Sequence, residues 1–213
     1  MSARLLLASR SPRRRSLLSE ARYEYEVIES RFDEPPPAPG VRAEDHAITL
    51  ARGKAGDVAS RLGSDRRGDV ILAADTVIDL AGEILGQPSS DAAAVAMLRR
   101  LAGSTHAVVT GVVLREVGSD RTDEAAARTT LQMLPMSDDE IRAYVSSGES
   151  HGKAGSYAIQ ETGDRYVRVV EGSLSNVVGL PLELLARMIA RFAPGLAPRG
   201  DSDEDASSAP TGS

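Results

Sequence analysis

The chain has 213 residues, 41% apolar and 26% charged, with a net charge of −6 and no cysteine. A chain this long buries about 70% of its unfolded surface, so it needs no covalent staple; the lack of cysteine excludes disulfide scaffolds, thiolate metal sites and thiol catalysis. Three histidines without an HExxH spacing offer no dedicated zinc site, and 3% aromatics with an acidic balance suit neither base stacking nor phosphate-backbone binding.

In chain order, residues 4–8 are an apolar run of strand length. Ser11-Pro12 then carries the cap and first-turn signature of a helix. Residues 25–29 read as a second strand. Residues 33–40 (DEPPPAPG) read as a stiff loop, because each proline fixes φ and lacks an N–H. Between 44 and 62, Ile48, Ala51, Ala55, Val58 and Leu62 recur at spacings of 3, 4, 3 and 4, which is one helix face. After an exposed loop at 66–69, residues 70–74 (VILAA) form a buried strand that continues through 77–80 to a turn at Ala81-Gly82. A helix is expected over 91–101 with Val95, Leu98 and Leu101 inward. Residues 107–117 and 122–133 read as long strands joined by a Gly-Ser-Asp turn.

Ser137 and Glu140 make a capping box for a helix that stops at Gly148. Strands at 157–160 and 166–170 precede a last helix, which starts at Pro181 and sets Leu182, Leu185, Ile189 and Phe192 on one face. Residues 194–213 are rich in Pro, Gly, Ser and acid, and read as a disordered acidic tail behind a domain of residues 1–193. That tail carries −3 from four acids and one arginine, leaving −3 of the −6 on the body. No apolar run approaches the ~20 residues of a membrane span, and the N-terminus has too short an apolar stretch for a signal peptide, so a cytoplasmic protein is expected. Hairpins and helices interrupt the strands, which predicts an α/β fold with a mixed sheet flanked by helices.

Several residues carry chemistry. Arg13, Arg14 and Arg15 occupy the first helical turn, where acids normally sit. With the hydroxyls of Ser9 and Ser11 and free backbone N–H groups they suit a polyphosphate; a solvated basic turn is the other reading. Asp75 interrupts an apolar strand, so it is either a turn or bulge residue or a carboxylate that is paired, metal-bound or catalytic. Asp33 and Glu34 precede the proline loop and are either solvated or magnesium ligands. Lys54 sits beside the inner helix face, as a snorkelling side chain or as a site cation, and Lys153 lies in a Gly-flanked loop that is not a P-loop. His106 and His151 have no nucleophile partner in the sequence and read as ordinary polar residues. Together, arginines at a helix start, isolated carboxylates and scattered lysines point to metal-assisted phosphoanhydride chemistry.

Seven segments in order, LLLASRSPRRRSLL, FDE, ARGKA, AADTVI, GEILGQP, GKAGSYAIQ and NVVGLPL, resemble the Maf-like nucleotide pyrophosphatases from Leu5 to about Leu185. The resemblance implies an elongated mixed sheet like that of the inosine triphosphate pyrophosphatases, a homodimer, a divalent cation (Mg²⁺ or Mn²⁺) on Glu34 and Asp75, and hydrolysis of nucleoside triphosphates to monophosphate and pyrophosphate. By position it implies Asp75, Glu34 and Lys54 as catalytic residues. It implies Ser9, Arg13, Arg14, Thr76, Lys153 and Gln160 as substrate-binding residues, with Gln160 matching the branch that prefers dTTP and UTP. Gln87 stands where the family usually has lysine before the proline, and Gly152 replaces a common acid; Arg15 or another cation then compensates, or the activity differs. The alternatives are the same reaction on another nucleotide such as CTP or 7-methyl-GTP, and a non-catalytic nucleotide-binding regulator of cell division. A nucleic-acid-binding module fits the arginine patch and fits the overall charge poorly.

Overall fold

The structure is a computed structural model that describes residues 3–150, 152–157, 159 and 165–198. Its centre is a mixed sheet in the order β2-β1-β3-β5-β6-β7, with β4 on β3. Strand β1 (Leu5–Leu7) is fully buried and runs parallel to both β2 (Glu26–Val27) and β3 (Val70–Leu80). The long strands β5 (Thr105–Glu116) and β6 (Thr122–Met133), the edge strand β7 (Val167–Glu171) and the short β4 (Glu83–Leu85) all pair antiparallel to their neighbours. The expected mixed sheet is therefore present.

Alternation along β3 sorts its side chains between the two sheet faces. Ile71, Ala73 and Val77 meet helix α2 (Ala43–Ser60), whose Ala47, Ala51, Ala55 and Val58 pack on them. These small residues bring the helix close. At Gly111 of β5 a Cβ would lie 2.4 Å from the carbonyl carbon of Ala47. On the other face, Val70, Leu72 and Ala74 meet helices α1 (Pro12–Glu20) and α6 (Leu182–Phe192). Further along, Ile78 and Val108 meet helices α3 (Asp91–Leu101) and α4 (Asp138–Ser146). In α6, Leu184, Leu185, Met188, Ile189 and Phe192 are buried, each side chain stabilising the fold by about 1.5–3 kcal/mol. A short helix α5 (Leu174–Val178) lies between the two clusters.

The caps follow the sequence. Ser11 Oγ accepts the Arg14 N–H at 3.4 Å with Pro12 in the first turn, and Ser137 and Glu140 form both halves of the capping box. Three differences stand out. The turn at Ala81-Gly82 leads into a return strand, β4, that three residues are too few to announce. Helix α5 has only five residues, less than two turns of periodicity, and Gly179 ends it with φ 124°. Tyr157, expected to open a strand, lies outside the sheet; it follows a 3₁₀ turn (Ala154–Ser156) and is buried against His106. The rest of that stretch falls partly outside the described residues.

One feature of the topology makes room for a ligand. Strand β1 pairs β3 only at Val70, Ile71 and Leu72, and β4 pairs it only at Ile78, Asp79 and Leu80. Between them, among the described residues, 73–77 have a strand on the β5 side alone. The gap opens beyond the carboxyl end of β1, where its parallel pairing stops, which is where open α/β sheets bind ligands.

Candidate active site

A cavity of about 490 Å³ fills this gap. Its wall comes from the turn after β1 (Ser9, Arg10), the start of α1 (Arg13, Arg14), the loop after β2 (Phe32, Glu34), α2 (Lys54), β3 (Asp75, Thr76) and the loop after β4 (Gln87). Lys153, Tyr157 and Gly179 close it from the later half of the chain. Ser9, Arg13, Arg14, Glu34, Lys54, Asp75, Thr76 and Lys153, dispersed over most of the sequence, thus converge on one cavity. Gln160 and His151 lie outside the described residues.

Asp75 and Thr76 are adjacent and so point to opposite faces of the sheet. Both reach the cavity because the strand edge beside them is uncovered. On the α2 face, Lys54 Nζ donates to Asp75 Oδ1 at 2.5 Å and pairs with Glu34 Oε1 at 2.7 Å. Lys54 is therefore the clasp between the two carboxylates rather than a snorkelling surface lysine. The Phe32 ring, packed where Gly53 has no side chain, seats the loop that carries Glu34. Burial pushes the Asp75 carboxyl above the ordinary aspartate value, Glu34 adds to the rise, and Lys54 and Arg14 pull it back. A carboxylate so placed accepts a proton more readily than a solvated one.

On the other face, Arg14 is buried and held at three points. Its Nε donates to Gly179 O at 2.7 Å, Nη1 to Ser9 Oγ at 3.4 Å and Nη2 to Thr76 Oγ1 at 3.1 Å. Burial pulls its guanidinium below the ordinary arginine value and the charge of Asp75 opposes this. Arg13 donates to Gly152 O at 3.4 Å, and the buried Lys153 donates to Glu149 O at 2.6 Å. Arg15 turns away from the cavity to pair with Glu29 at 3.1 Å, so it does not stand in for the lysine that Gln87 replaces. Arg10 does line the cavity, bringing the wall to five cationic side chains against two carboxylates. That excess of positive charge suits a polyphosphate.

Among the described residues no three or more His, Asp or Glu converge as a metal cluster. Asp75 and Glu34 each give one oxygen to Lys54 and have a second. A hard cation such as Mg²⁺, held by one or two carboxylates plus phosphate oxygens and water, needs no more, so the donor set fits one.

Sequence reasoning missed Tyr157 and the turn at Gly179. Tyr157 Oη and His106 Nε2 are 2.7 Å apart, so His106 braces a cavity wall. The signal for both was the order of the segments GKAGSY and NVVGLP, not any chemistry visible in them.

A dTTP/UTP pyrophosphatase from Salinibacter ruber is 49% identical over 195 residues, covering 91% of this chain and 93% of that protein. Those named dTTP/UTP pyrophosphatase from Geotalea uraniireducens and Pelotomaculum thermopropionicum are 44% and 38% identical, covering 84% and 88% of this chain and 89% and 96% of theirs. Among solved structures, a HAM1 protein from Coxiella burnetii aligns over 89% of this chain and 99% of its own, with a TM-score of 0.46 and 16% identity. The family model of the Maf-like proteins matches residues 4–192, which takes in every described cavity residue, and the chain belongs to that family.

Proposed function

We propose that the chain is a nucleoside triphosphate pyrophosphatase that hydrolyses dTTP and UTP to the monophosphate and pyrophosphate. The observation that carries this reading is Asp75, a buried carboxylate clasped by Lys54 inside a cavity whose other charges are mostly positive. A site that only binds phosphate has no use for such a group, whereas hydrolysis needs a proton acceptor beside the anion. The relatives' names supply the nucleotide.

Asp75 takes a proton from a water as the water oxygen bonds to the α-phosphorus. The bond from that phosphorus to the oxygen bridging to the β-phosphate breaks, and pyrophosphate leaves with the electron pair. Arg13, Arg14 and Lys153 stabilise the charge that grows on the leaving group, as fixed donors that need no reorganisation. Lys54 orients Asp75 towards the cavity and keeps Glu34 beside it. Asp75 and Glu34 are the residues that would hold Mg²⁺ or Mn²⁺, which would supply charge neutralisation and orientation. The Gln160 amide offers a donor and an acceptor to the imide edge of thymine or uracil. The Thr76 hydroxyl is engaged by Arg14 and Thr110, so its part in substrate choice runs through the cation it holds.

This reading takes residues 1–193 as the pyrophosphatase domain and 194–213 as an acidic tail. The 3₁₀ turn at Pro194–Leu196 extends the domain slightly, with Leu196 packed against the core. It takes the protein to be a homodimer of the cytoplasm; no helix among the described residues is long and apolar enough to cross a membrane. Pyrophosphate release from a panel of nucleoside triphosphates, with Mg²⁺, Mn²⁺ or chelator, tests it. Metal-dependent turnover led by dTTP and UTP is expected. Turnover led by CTP or 7-methyl-GTP would move the substrate. Binding without turnover would make the protein a nucleotide-binding regulator, with Gln87 in the cavity wall as the missing charge.

A further inference from the structure

Behind the cavity runs a buried chain of hydrogen bonds that no step of the reaction uses directly. It starts at Arg14, which can only donate, so Thr76 Oγ1 accepts from it. Thr76 and Thr110 face each other across β3 and β5 and their hydroxyls lie 2.9 Å apart. Thr110 Oγ1 donates to the main-chain carbonyl of Asn176 at 3.2 Å. A hydroxyl has one proton, so the proton between the threonines belongs to Thr76. The direction is thereby fixed along the whole path, from guanidinium to Thr76, to Thr110, to the Asn176 carbonyl.

The far end is anchored as firmly. The Asn176 amide nitrogen donates to Val108 O at 3.1 Å and to Thr129 Oγ1 at 2.9 Å. Thr129 Oγ1 also accepts the Ser173 N–H and donates to Ser173 O, both at 3.1 Å, which ties the start of α5 to β6. Thr110, Thr129 and Asn176 are essentially inaccessible to solvent, and Asn176 Oδ1 has no hydrogen-bond partner among the described residues. Apolar side chains would fill this space without leaving an orphaned amide oxygen, so packing does not explain the choice of residues. The other end of α5 delivers the Gly179 carbonyl straight to Arg14 Nε.

We propose that Thr110 and Asn176 are positioning residues for Arg14: through Thr76 and through the Gly179 carbonyl they fix the direction in which this buried guanidinium meets the substrate's phosphates. The inference rests on the reading of the cavity as a triphosphate site. It makes α5 a part of the phosphate-binding apparatus although its side chains carry no charge.

A double-mutant cycle on the full chain tests it, with pyrophosphate release from dTTP as the rate and thermal unfolding as the control. Thr110→Val keeps the shape and removes the relay; it is expected to lower kcat/KM by about tenfold or more. Thr110→Ser retains the hydroxyl and should stay within about threefold of wild type. In an Arg14→Lys background, Thr110→Val should cost less than about twofold, because the group it positions is already gone. Equal losses in the two backgrounds, or a Thr110→Val enzyme of wild-type rate, would overturn the proposal. If Thr110→Val does not fold, Thr76→Val breaks the same relay and carries the cycle with the same criteria. A wild-type protein with no turnover would instead defeat the pyrophosphatase reading; turnover with additive losses would defeat the positioning role alone.

Discussion

Gly111 sits directly across from Asp75 in the β3–β5 ladder, on the face that α2 covers. A Cβ there would stand 2.4 Å from Ala47 C and Ile48 N and 2.6 Å from Ala47 O. All three are backbone atoms, so no side-chain rotation relieves the clash. An ordinary contact needs about 3.4 Å or more, so Gly111→Ala must lift α2 from the sheet by about 1 Å. Lys54 lies seven residues along the same helix, about 10 Å from the contact, and moves with it. Its bond to Asp75 Oδ1 then stretches from 2.5 Å towards the limit of a hydrogen bond.

Two effects follow, with different sizes. Overpacking of this kind costs about 1–3 kcal/mol, which for a domain of this length lowers the melting temperature by about 2–12 °C. Misplacing a site group by about 1 Å costs on the order of 100-fold in rate. Gly111→Ala is therefore expected to fold, to melt several degrees early, and to lose turnover far beyond its loss of folded protein at 25 °C. Thermal unfolding and steady-state pyrophosphate release on the same sample measure both. A Gly111→Ala protein with wild-type melting and wild-type kcat would refute the argument that this close approach sets the Lys54–Asp75 contact.

Other expectations test separate parts of the site. Asp75→Asn keeps the shape but cannot take a proton, so kcat should fall by about 10²–10⁴ with the fold intact; a near-normal rate would remove Asp75 from the base role. Gln160→Glu turns an amide donor into an acceptor and should erode the preference for dTTP and UTP over GTP, whereas an unchanged ratio would separate Gln160 from base reading. Gln87→Lys adds a cation to the cavity wall and should raise kcat/KM by several-fold, about 1 kcal/mol of added attraction; no gain would mean the existing cations already suffice. Burial holds His106 down at about 4 against an ordinary 6.5, so the folded protein binds fewer protons than the unfolded chain between those values. Stability should be complete above pH 6.5 and fall as pH drops towards and below 4, by on the order of 3 kcal/mol from this residue. Denaturant unfolding of His106→Gln should show a correspondingly shallower decline, and parallel curves for the two proteins would exclude His106 as the source.

The parts of this site that were legible in the sequence were those in which a residue contradicted its surroundings. An acid inside VILAADTVI and three arginines at a helix start are conflicts within a few residues, and both proved to mark the cavity. What each arginine does was not legible. Successive helical residues point about 100° apart, so Arg13 reaches Gly152, Arg14 turns inward to Gly179 and Arg15 swings out to Glu29. Choosing among them needs the fold around the helix. The relay behind Arg14 was further out of reach, since Thr76 and Thr110 meet only through strand register and α5 is too short to show a period.

The deeper reason lies in strand parity. By alternation, Asp75 and Thr76 belong to opposite faces of a sheet, and a reader of the sequence would not assign both to one ligand. They share one because β1 leaves β3 after Leu72 and β4 joins it only at Ile78, so that at this point the sheet has an open edge in place of two sealed faces. A ligand in the gap meets the Lys54–Asp75–Glu34 clasp from one side and the Arg14–Thr76 relay from the other. On the proposed reading, the same gap puts the proton acceptor Asp75 and the phosphate-facing Arg14 within one cavity while the strand keeps them on separate faces. That reading has Asp75 and Arg14 act on one phosphate chain without collapsing into the salt bridge that two such groups would form on a common face.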